Sequence, residues 1–123
     1  MNTDEHRFLT QEIIQCAFRV SNALGTGFLE KVYENSLIIE LKSKSLKVSS
    51  QQKLKVYYQN IVVGEYTPDV IVDDKVLVEL KVARCIDEIH QAQLLNYLRI
   101  SGLRIGLILN FGTPQLGIKR MVL

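Results

Sequence analysis

Two short apolar segments of the sequence carry charged side chains at positions where a buried strand normally has none. Residues 68–72 include Asp69, and residues 76–82 include Glu79 and Lys81. Because side chains alternate between the two faces of a strand, Glu79 and Lys81 share one face with Leu77. The other face of this predicted strand is apolar and consists of Val76, Val78, Leu80 and Val82.

A turn at residues 73–75 would bring the acids together. It places Asp69 directly opposite Glu79, with Cβ atoms roughly 4.5–5.5 Å apart. Two carboxylates this close repel each other unless a cation lies between them, and hard oxygen ligands suit Mg²⁺ or Mn²⁺. Lys81 would then orient a water molecule or stabilise charge on a phosphate, so the pattern indicates metal-assisted phosphodiester hydrolysis. The alternative is an exposed cross-strand ion pair on a half-solvated sheet.

The rest of the sequence predicts an α/β (α+β) fold in the order α-α-β-β-β-α-β-β. Helices are expected over residues 9–24, with Thr10 as N-cap, 29–44, and 87–101, ending at Gly102. Strands 53–58, 62–72, with a break near Pro68, and 76–82 form a predicted meander. A strand at 104–111, parallel to 76–82, and an edge strand at 118–123 complete a mixed sheet of four to five strands flanked by helices.

Composition limits the class of protein. With 123 residues, 47% of them hydrophobic, the chain is predicted to form a single domain over residues 1–123. A formal charge of only +2 excludes nucleic-acid binding by bulk electrostatics, so any such binding must come from local basic clusters. There are two candidate clusters, and ordinary solvated surface is the favoured interpretation of the first and an open alternative for the second. They are Lys42, Lys44, Lys47, Lys53 and Lys55, and Arg99, Arg104, Lys119 and Arg120.

Cysteine usage and hydropathy indicate the compartment. Cys16 and Cys85 lie far apart and match no metal-binding spacing, and no cluster of histidine and cysteine predicts zinc. The sequence shows neither a signal peptide nor a long apolar segment, so we expect reduced thiols, a cytoplasmic protein and no membrane association.

At these acidic residues the chain resembles the PD-(D/E)XK nuclease superfamily, whose motif is matched by Pro68-Asp69 and then Glu79-Leu80-Lys81. Residues 27–33 are similar to the signature of the GxxExxY proteins, through Gly27, Glu30 and Tyr33. Residues 93–97, from Gln93 to Tyr97, resemble the QxxxY element of a subset of these nucleases. The likeness extends from about Ile13 to the C-terminus and implies the restriction-endonuclease-like core.

The resemblance also implies roles for individual residues. Asp69, Glu79, the backbone carbonyl of Leu80 and Glu30 would hold Mg²⁺ or Mn²⁺, and Lys81 would position the attacking water. Gln93 would orient substrate or water. Supporting or substrate-binding positions would be His90, Tyr97 and Tyr33.

Each of the outlying positions has a plain structural alternative. Glu30 in the first turn of a helix favours the helix dipole, and Tyr33 fits a core aromatic. Gln93 and His90 also fit the solvent side of a helix. Asp73 and Asp74 are assigned to the turn itself.

The predicted function is therefore a metal-dependent nuclease acting on nucleic acid, with DNA favoured over RNA. The alternative is a non-catalytic module that keeps the fold and binds nucleic acid or a protein. Because a lone domain of this size has little surface for substrate selection, a homodimer or an accessory protein partner is compatible with either function.

Overall fold

The computed structural model describes residues 6–123. Their helices and strands, in chain order, are α1 (Arg7–Leu24), α2 (Glu30–Ser43), β1 (Val48–Ser50), β2 (Leu54–Tyr58), β3 (Ile61–Tyr66), β4 (Val70–Val72), β5 (Val76–Lys81), α3 (Glu88–Ser101), β6 (Ile105–Asn110) and β7 (Gly117–Val122). A mixed five-stranded sheet is flanked by the helices, which confirms the predicted fold class.

The central sheet has the strand order β1-β4-β5-β6-β7. Strands β5 and β6 are parallel, with Val78 beside Leu107, and the other neighbours are antiparallel. Since α3 lies between β5 and β6 in the chain, it forms the crossover that a parallel pair requires. The expected edge strand near the C-terminus is β7.

The predicted meander differs from the structure in its first strand. Strand β2 pairs only with β3, in a separate two-stranded sheet, and β1 takes the place beside β4. The predicted strand over residues 62–72 is two strands, β3 and β4, which belong to different sheets. Pro68 lies in the gap between them and cannot donate a ladder hydrogen bond, which explains why the strand ends there.

Two hydrophobic clusters lie on opposite faces of the central sheet. Val76, Val78 and Leu80 of β5 face the cluster formed with α1 and α2. Leu77 faces the second cluster, which includes Leu94 of α3. Glu79 and Lys81 follow the alternation of Leu77, so β5 presents them on the α3 side, as the period-two pattern predicts.

The first helix begins two residues before the predicted start, and its predicted N-cap is wrong by about one turn. His6 is the N-cap residue of α1, and Thr10 is buried inside the helix, where its hydroxyl donates to the Arg7 carbonyl over 2.9 Å. The end of α3 agrees with the prediction, because Gly102 adopts the left-handed φ of 77° that glycine favours. None of the helices within residues 6–123 is long and apolar enough to cross a membrane.

Asn110, the last residue of β6, fixes the chain where it leaves the site-bearing strand. Its side chain is buried, with Oδ1 accepting from the amides of Ala83 and Gly112 and Nδ2 donating to the Ala83 carbonyl, each over 3.0 Å. This amide holds the residues after Lys81 against β6.

We expect Asn110→Ala to lower the free energy of unfolding by about 1–3 kcal/mol, because it leaves part-buried backbone groups of Ala83 and Gly112 without partners. Urea denaturation measures the loss, with Asn96→Ala on the exposed side of α3 as the control. Equal stability of the two variants would contradict this role for Asn110.

Candidate active site

Strands β4 and β5 bring Asp69 and Glu79 into contact. The register that pairs Val70 with Val78 extends to Asp69 opposite Glu79. The Asp69 amide donates to Glu79 Oε1 over 3.2 Å, and the Leu80 amide donates to Asp69 Oδ2 over 2.8 Å. These bonds fix each carboxylate to the backbone beside the other.

Local turn chemistry sets this register. Asp73 and Asp74 have φ values of 53° and 55°, and the Lys75 amide donates to the Val72 carbonyl. Asp73 Oδ1 accepts from the Lys47 amide over 2.8 Å, so this side chain holds the turn against the segment before β1. The turn aspartates are structural, as expected.

The site suppresses ionisation of its acids. Glu79 is only 8% exposed, and burial, with the negative charge of Asp69 adding to it, raises the pKa of Glu79 to about 7. Burial also raises the pKa of Asp69, against the hydrogen bond from the Leu80 amide. The positive charge of Lys81 acts in the opposite direction on both acids. A further cation at the pair would favour the doubly ionised form.

Two stacked tyrosines cover Glu79. The hydroxyl of Tyr66, at the end of β3, donates to Glu79 Oε1. The Tyr66 ring stacks on that of Tyr97 from α3, with an interplanar angle of 11°. Burial raises the pKa of both phenols, so they remain neutral and Tyr66 keeps its proton to donate. Tyr97 thus supports the site through its ring, next to Tyr66.

Helix α2 presents a different acid from the one the sequence indicated. Glu34 is 5% exposed and forms an ion pair with Lys31 over 2.6 Å. The negative charge of Glu34 raises the pKa of Asp69 more than the negative charge of Glu30 does. Glu30 is exposed in the first turn of α2. Within residues 6–123 no three acidic, histidine or cysteine side chains converge as a metal-binding group. The structure therefore brings together the carboxylate pair, but not a ligand set that includes Glu30.

Gln93 and His90 lie on α3, outside the carboxylate pair. Gln93 is exposed and lies one turn before Tyr97 on the same side of the helix. His90 belongs to a capping box, in which its amide donates to Asp87 Oδ1 over 2.9 Å and its Nδ1 accepts from the Asp87 amide over 3.4 Å. This geometry gives His90 a structural task at the start of α3.

Tyr33 clamps the turn between α1 and α2. Its hydroxyl donates to the Gly25 carbonyl over 2.6 Å and accepts from the Phe28 amide over 3.3 Å, while its buried ring stacks on Phe111. We expect Tyr33→Phe to lower the free energy of unfolding by about 1 kcal/mol and to leave cleavage unchanged.

Thermal denaturation and a cleavage assay on the same preparations check the Tyr33 prediction, with the exposed Tyr57→Phe as the control. Loss of cleavage at unchanged stability would instead indicate a catalytic role for the Tyr33 hydroxyl.

Sequence reasoning missed Tyr66, Glu34 and Asn110. Glu34 carried a detectable signal, because it lies three and seven residues before Leu37 and Leu41, on the buried stripe of α2. Tyr66 carried none, since its approach to Glu79 depends on how the β2–β3 hairpin packs. Asn110 likewise acts on a loop 27 positions away in the sequence.

The donor chemistry fits a hard divalent cation. The pair offers carboxylate oxygens, which are the ligands that such cations prefer. Burial and the repulsion between the two acids disfavour their ionised forms, and a bound cation would offset both effects. In residues 6–123 no ion pair within 4.0 Å joins Lys81 to either acid. Asp69 and Glu79 are thus the residues that could hold a metal, and Glu34 is the acid of α2 whose charge acts most strongly on Asp69.

Comparison with known proteins identifies the family. No curated protein sequence matches the chain significantly. The crystal structure of SSO0001 superimposes with a TM-score of 0.59 at 17% identity, covering 96% of this chain and 59% of that one, which shows a shared fold. This chain thus spans about three fifths of the length of SSO0001. The family model of the PD-(D/E)XK nuclease superfamily matches residues 7–121. The chain belongs to the PD-(D/E)XK nuclease superfamily.

Proposed function

We propose that this protein is a metal-dependent nuclease that hydrolyses phosphodiester bonds, with DNA as the expected substrate. The observation that carries the proposal is the Asp69–Glu79 pair beside Lys81. The buried Glu79 carboxylate accepts from the Asp69 amide, and the half-buried Asp69 carboxylate accepts from the Leu80 amide. Superfamily membership supports nuclease chemistry, and Asp69, Glu79 and Lys81 are the residues through which the sequence resembles the superfamily's motif. Divalent metals are general cofactors of such enzymes, and Mg²⁺ or Mn²⁺ is proposed here.

The proposed mechanism assigns one task to each residue. Asp69, Glu79 and the Leu80 carbonyl would hold the metal, with Glu30 or the buried Glu34 completing the set from α2. The metal would supply positive charge to the phosphoryl group and lower the pKa of the attacking water. The Lys81 ammonium would orient that water and stabilise negative charge on the phosphate. Tyr66 and Tyr97 would fix the orientation of Glu79, and the exposed Gln93 would contact substrate.

We also propose that the chain is a GxxExxY protein that forms a single domain. We propose further that it is cytoplasmic and acts as a homodimer or with an accessory protein. Gly27, Glu30 and Tyr33 support this assignment at the α1–α2 turn, where Tyr33 makes the clamp described above.

A non-catalytic binding module is the second candidate function. It is favoured by one observation, that no third acid converges on the pair within the described part of the chain. Such a module would bind nucleic acid, with salt-sensitive affinity, and would not cut it.

A cleavage assay separates the two functions. Wild-type protein is incubated with linear, single-stranded and branched DNA and with RNA, in Mg²⁺, in Mn²⁺ and in EDTA. We expect wild type to cleave at least one DNA substrate. EDTA should abolish this cleavage, and the Asp69→Asn variant should not cleave. Binding without cleavage of any substrate in either metal would overturn the nuclease in favour of the module.

A further inference from the structure

The hairpin formed by β2 and β3, residues 54–66, exposes an unusual amount of apolar surface. It is a two-stranded sheet separate from the central one. Its exposed large side chains, all near the tip, are Tyr57 (61%), Tyr58 (66%), Ile61 (66%), Val62 (45%) and Val63 (61%). A concentration of exposed apolar side chains in one short segment is a feature of interaction sites.

The backbone of this hairpin is built to display its tip. Gln59 and Asn60 form the two-residue turn with φ values of 49° and 64°, the geometry that suits a tight hairpin. The register passes from Val56–Gly64 to Tyr57–Val62, so Val63 has no residue opposite it. Such a bulge increases the local twist and re-aims side chains. The turn and the bulge therefore define the backbone that carries the tip side chains.

The base of the hairpin is part of the candidate active site. Tyr66 ends β3 and donates to Glu79, and its ring stacks on Tyr97 of α3. Strand β2 runs from Leu54, which pairs with Tyr66, to Tyr58 at the tip. Four residue steps at roughly 3.4 Å put Tyr58 about 14 Å from the base, with Tyr57 one step nearer. That distance corresponds to about four nucleotide steps along one strand of a duplex.

The chemistry of the hairpin favours nucleic acid over a protein partner. Lys55 alternates to the same face as Tyr57, and Lys53 comes just before β2. Proteins that bind single-stranded nucleic acid combine aromatic rings, which stack on bases, with positively charged groups, which bind phosphates. Lysine, by contrast, is depleted in protein–protein interfaces.

We propose that the exposed rings of Tyr57 and Tyr58, which alternation places on opposite faces of β2, each stack on an unpaired base at the hairpin tip, in the nucleic-acid strand that extends from the Asp69–Glu79 site. The proposal rests on the proposed nuclease function, because that function brings the strand to the base of the hairpin. The hairpin then selects substrates with a single-stranded segment a few nucleotides from the scissile phosphate.

The test compares Tyr57→Ala/Tyr58→Ala with Tyr57→Phe/Tyr58→Phe, which keeps both rings. Both pairs are made in a Lys81→Ala background, so that the probe stays intact in Mg²⁺. The probe is single-stranded oligothymidylate containing one fluorescent adenine analogue, whose emission falls when it stacks on a ring. Fluorescence anisotropy gives the affinity, and Ile39→Ala, at an exposed apolar residue of α2, is the control.

We expect the alanine pair to weaken binding at least tenfold and to abolish the quenching, since each base–aromatic stack contributes about 1–3 kcal/mol. The phenylalanine pair and Ile39→Ala should bind as the parent does. All these side chains are exposed, so unchanged thermal unfolding will confirm that the variants fold.

Three results would overturn the hairpin proposal. Parent-like affinity and quenching in the alanine pair, with metal-dependent cleavage by wild type, would remove the hairpin from substrate binding and leave the nuclease intact. A wild-type dimer that the alanine pair converts to monomers in sedimentation, at unchanged affinity, would assign the tip to a second copy. If the parent does not bind the probe and wild type does not cleave any substrate, both proposals are wrong.

Discussion

Replacing Lys81 with alanine is expected to lower the cleavage rate by about 10²–10³-fold or more, with the fold retained. Lys81 is half-buried at the end of β5, and its charge lowers the pKa of both Asp69 and Glu79. Its loss therefore removes the proposed stabiliser of phosphate charge and makes the acids harder to ionise. Single-turnover cleavage in Mg²⁺ measures the effect.

The matched control is Lys75→Ala, which removes an exposed lysine from the turn at the other end of β5. It should cleave at the wild-type rate. If Lys81→Ala also cleaves like wild type while folding normally, Lys81 has no role in the reaction.

The second large effect is on stability. Replacing Glu79 with glutamine should stabilise the metal-free protein above neutral pH by up to about 3 kcal/mol, while abolishing cleavage. The pKa of Glu79 rises from its ordinary 4.5 to about 7 on folding. Between those values the folded state holds a proton that the unfolded state has released, so stability falls as pH rises through this window. Each pKa unit corresponds to about 1.36 kcal/mol, and glutamine, which does not ionise, escapes the penalty.

Urea denaturation in EDTA across this pH range measures the difference. Wild type should lose stability as pH rises from about 4.5 to 7, and Glu79→Gln should lose less. Glu65→Gln, at an exposed glutamate of β3, should follow wild type. Parallel curves for wild type and Glu79→Gln would show that folding does not raise the pKa of Glu79.

The sequence predicts what depends on local periodicity and turn chemistry. The facing of Asp69 and Glu79 follows from strand alternation and the turn at residues 73–75, and both are present in the structure. The parallel pairing of β5 with β6 follows from the intervening helix. These features need no knowledge of how distant segments pack.

The features that the sequence did not predict depend on tertiary packing. Apolar and polar residues alternate over residues 54–58 as they do in strands of the central sheet, yet this strand pairs with β3 in a separate sheet. The separation arises because the strand predicted over residues 62–72 is interrupted near Pro68, so that β3 leaves the central sheet and β4 stays in it. The contact of Tyr66 with Glu79 follows from that separation. Glu34 acts more strongly than Glu30 on the pKa of Asp69, and packing buries Glu34 while Glu30 stays exposed.

The most direct test of the account is calorimetric titration of Mn²⁺ and Mg²⁺ into wild type and into Asp69→Asn/Glu79→Gln, above pH 7, where Glu79 ionises. The amide variant keeps the shape of the pair and removes its charge. The account predicts saturable binding by wild type, in the presence of substrate if not alone, and no binding by the variant. Equal binding by both proteins, or none by wild type even with DNA present, would contradict a metal centre at Asp69 and Glu79.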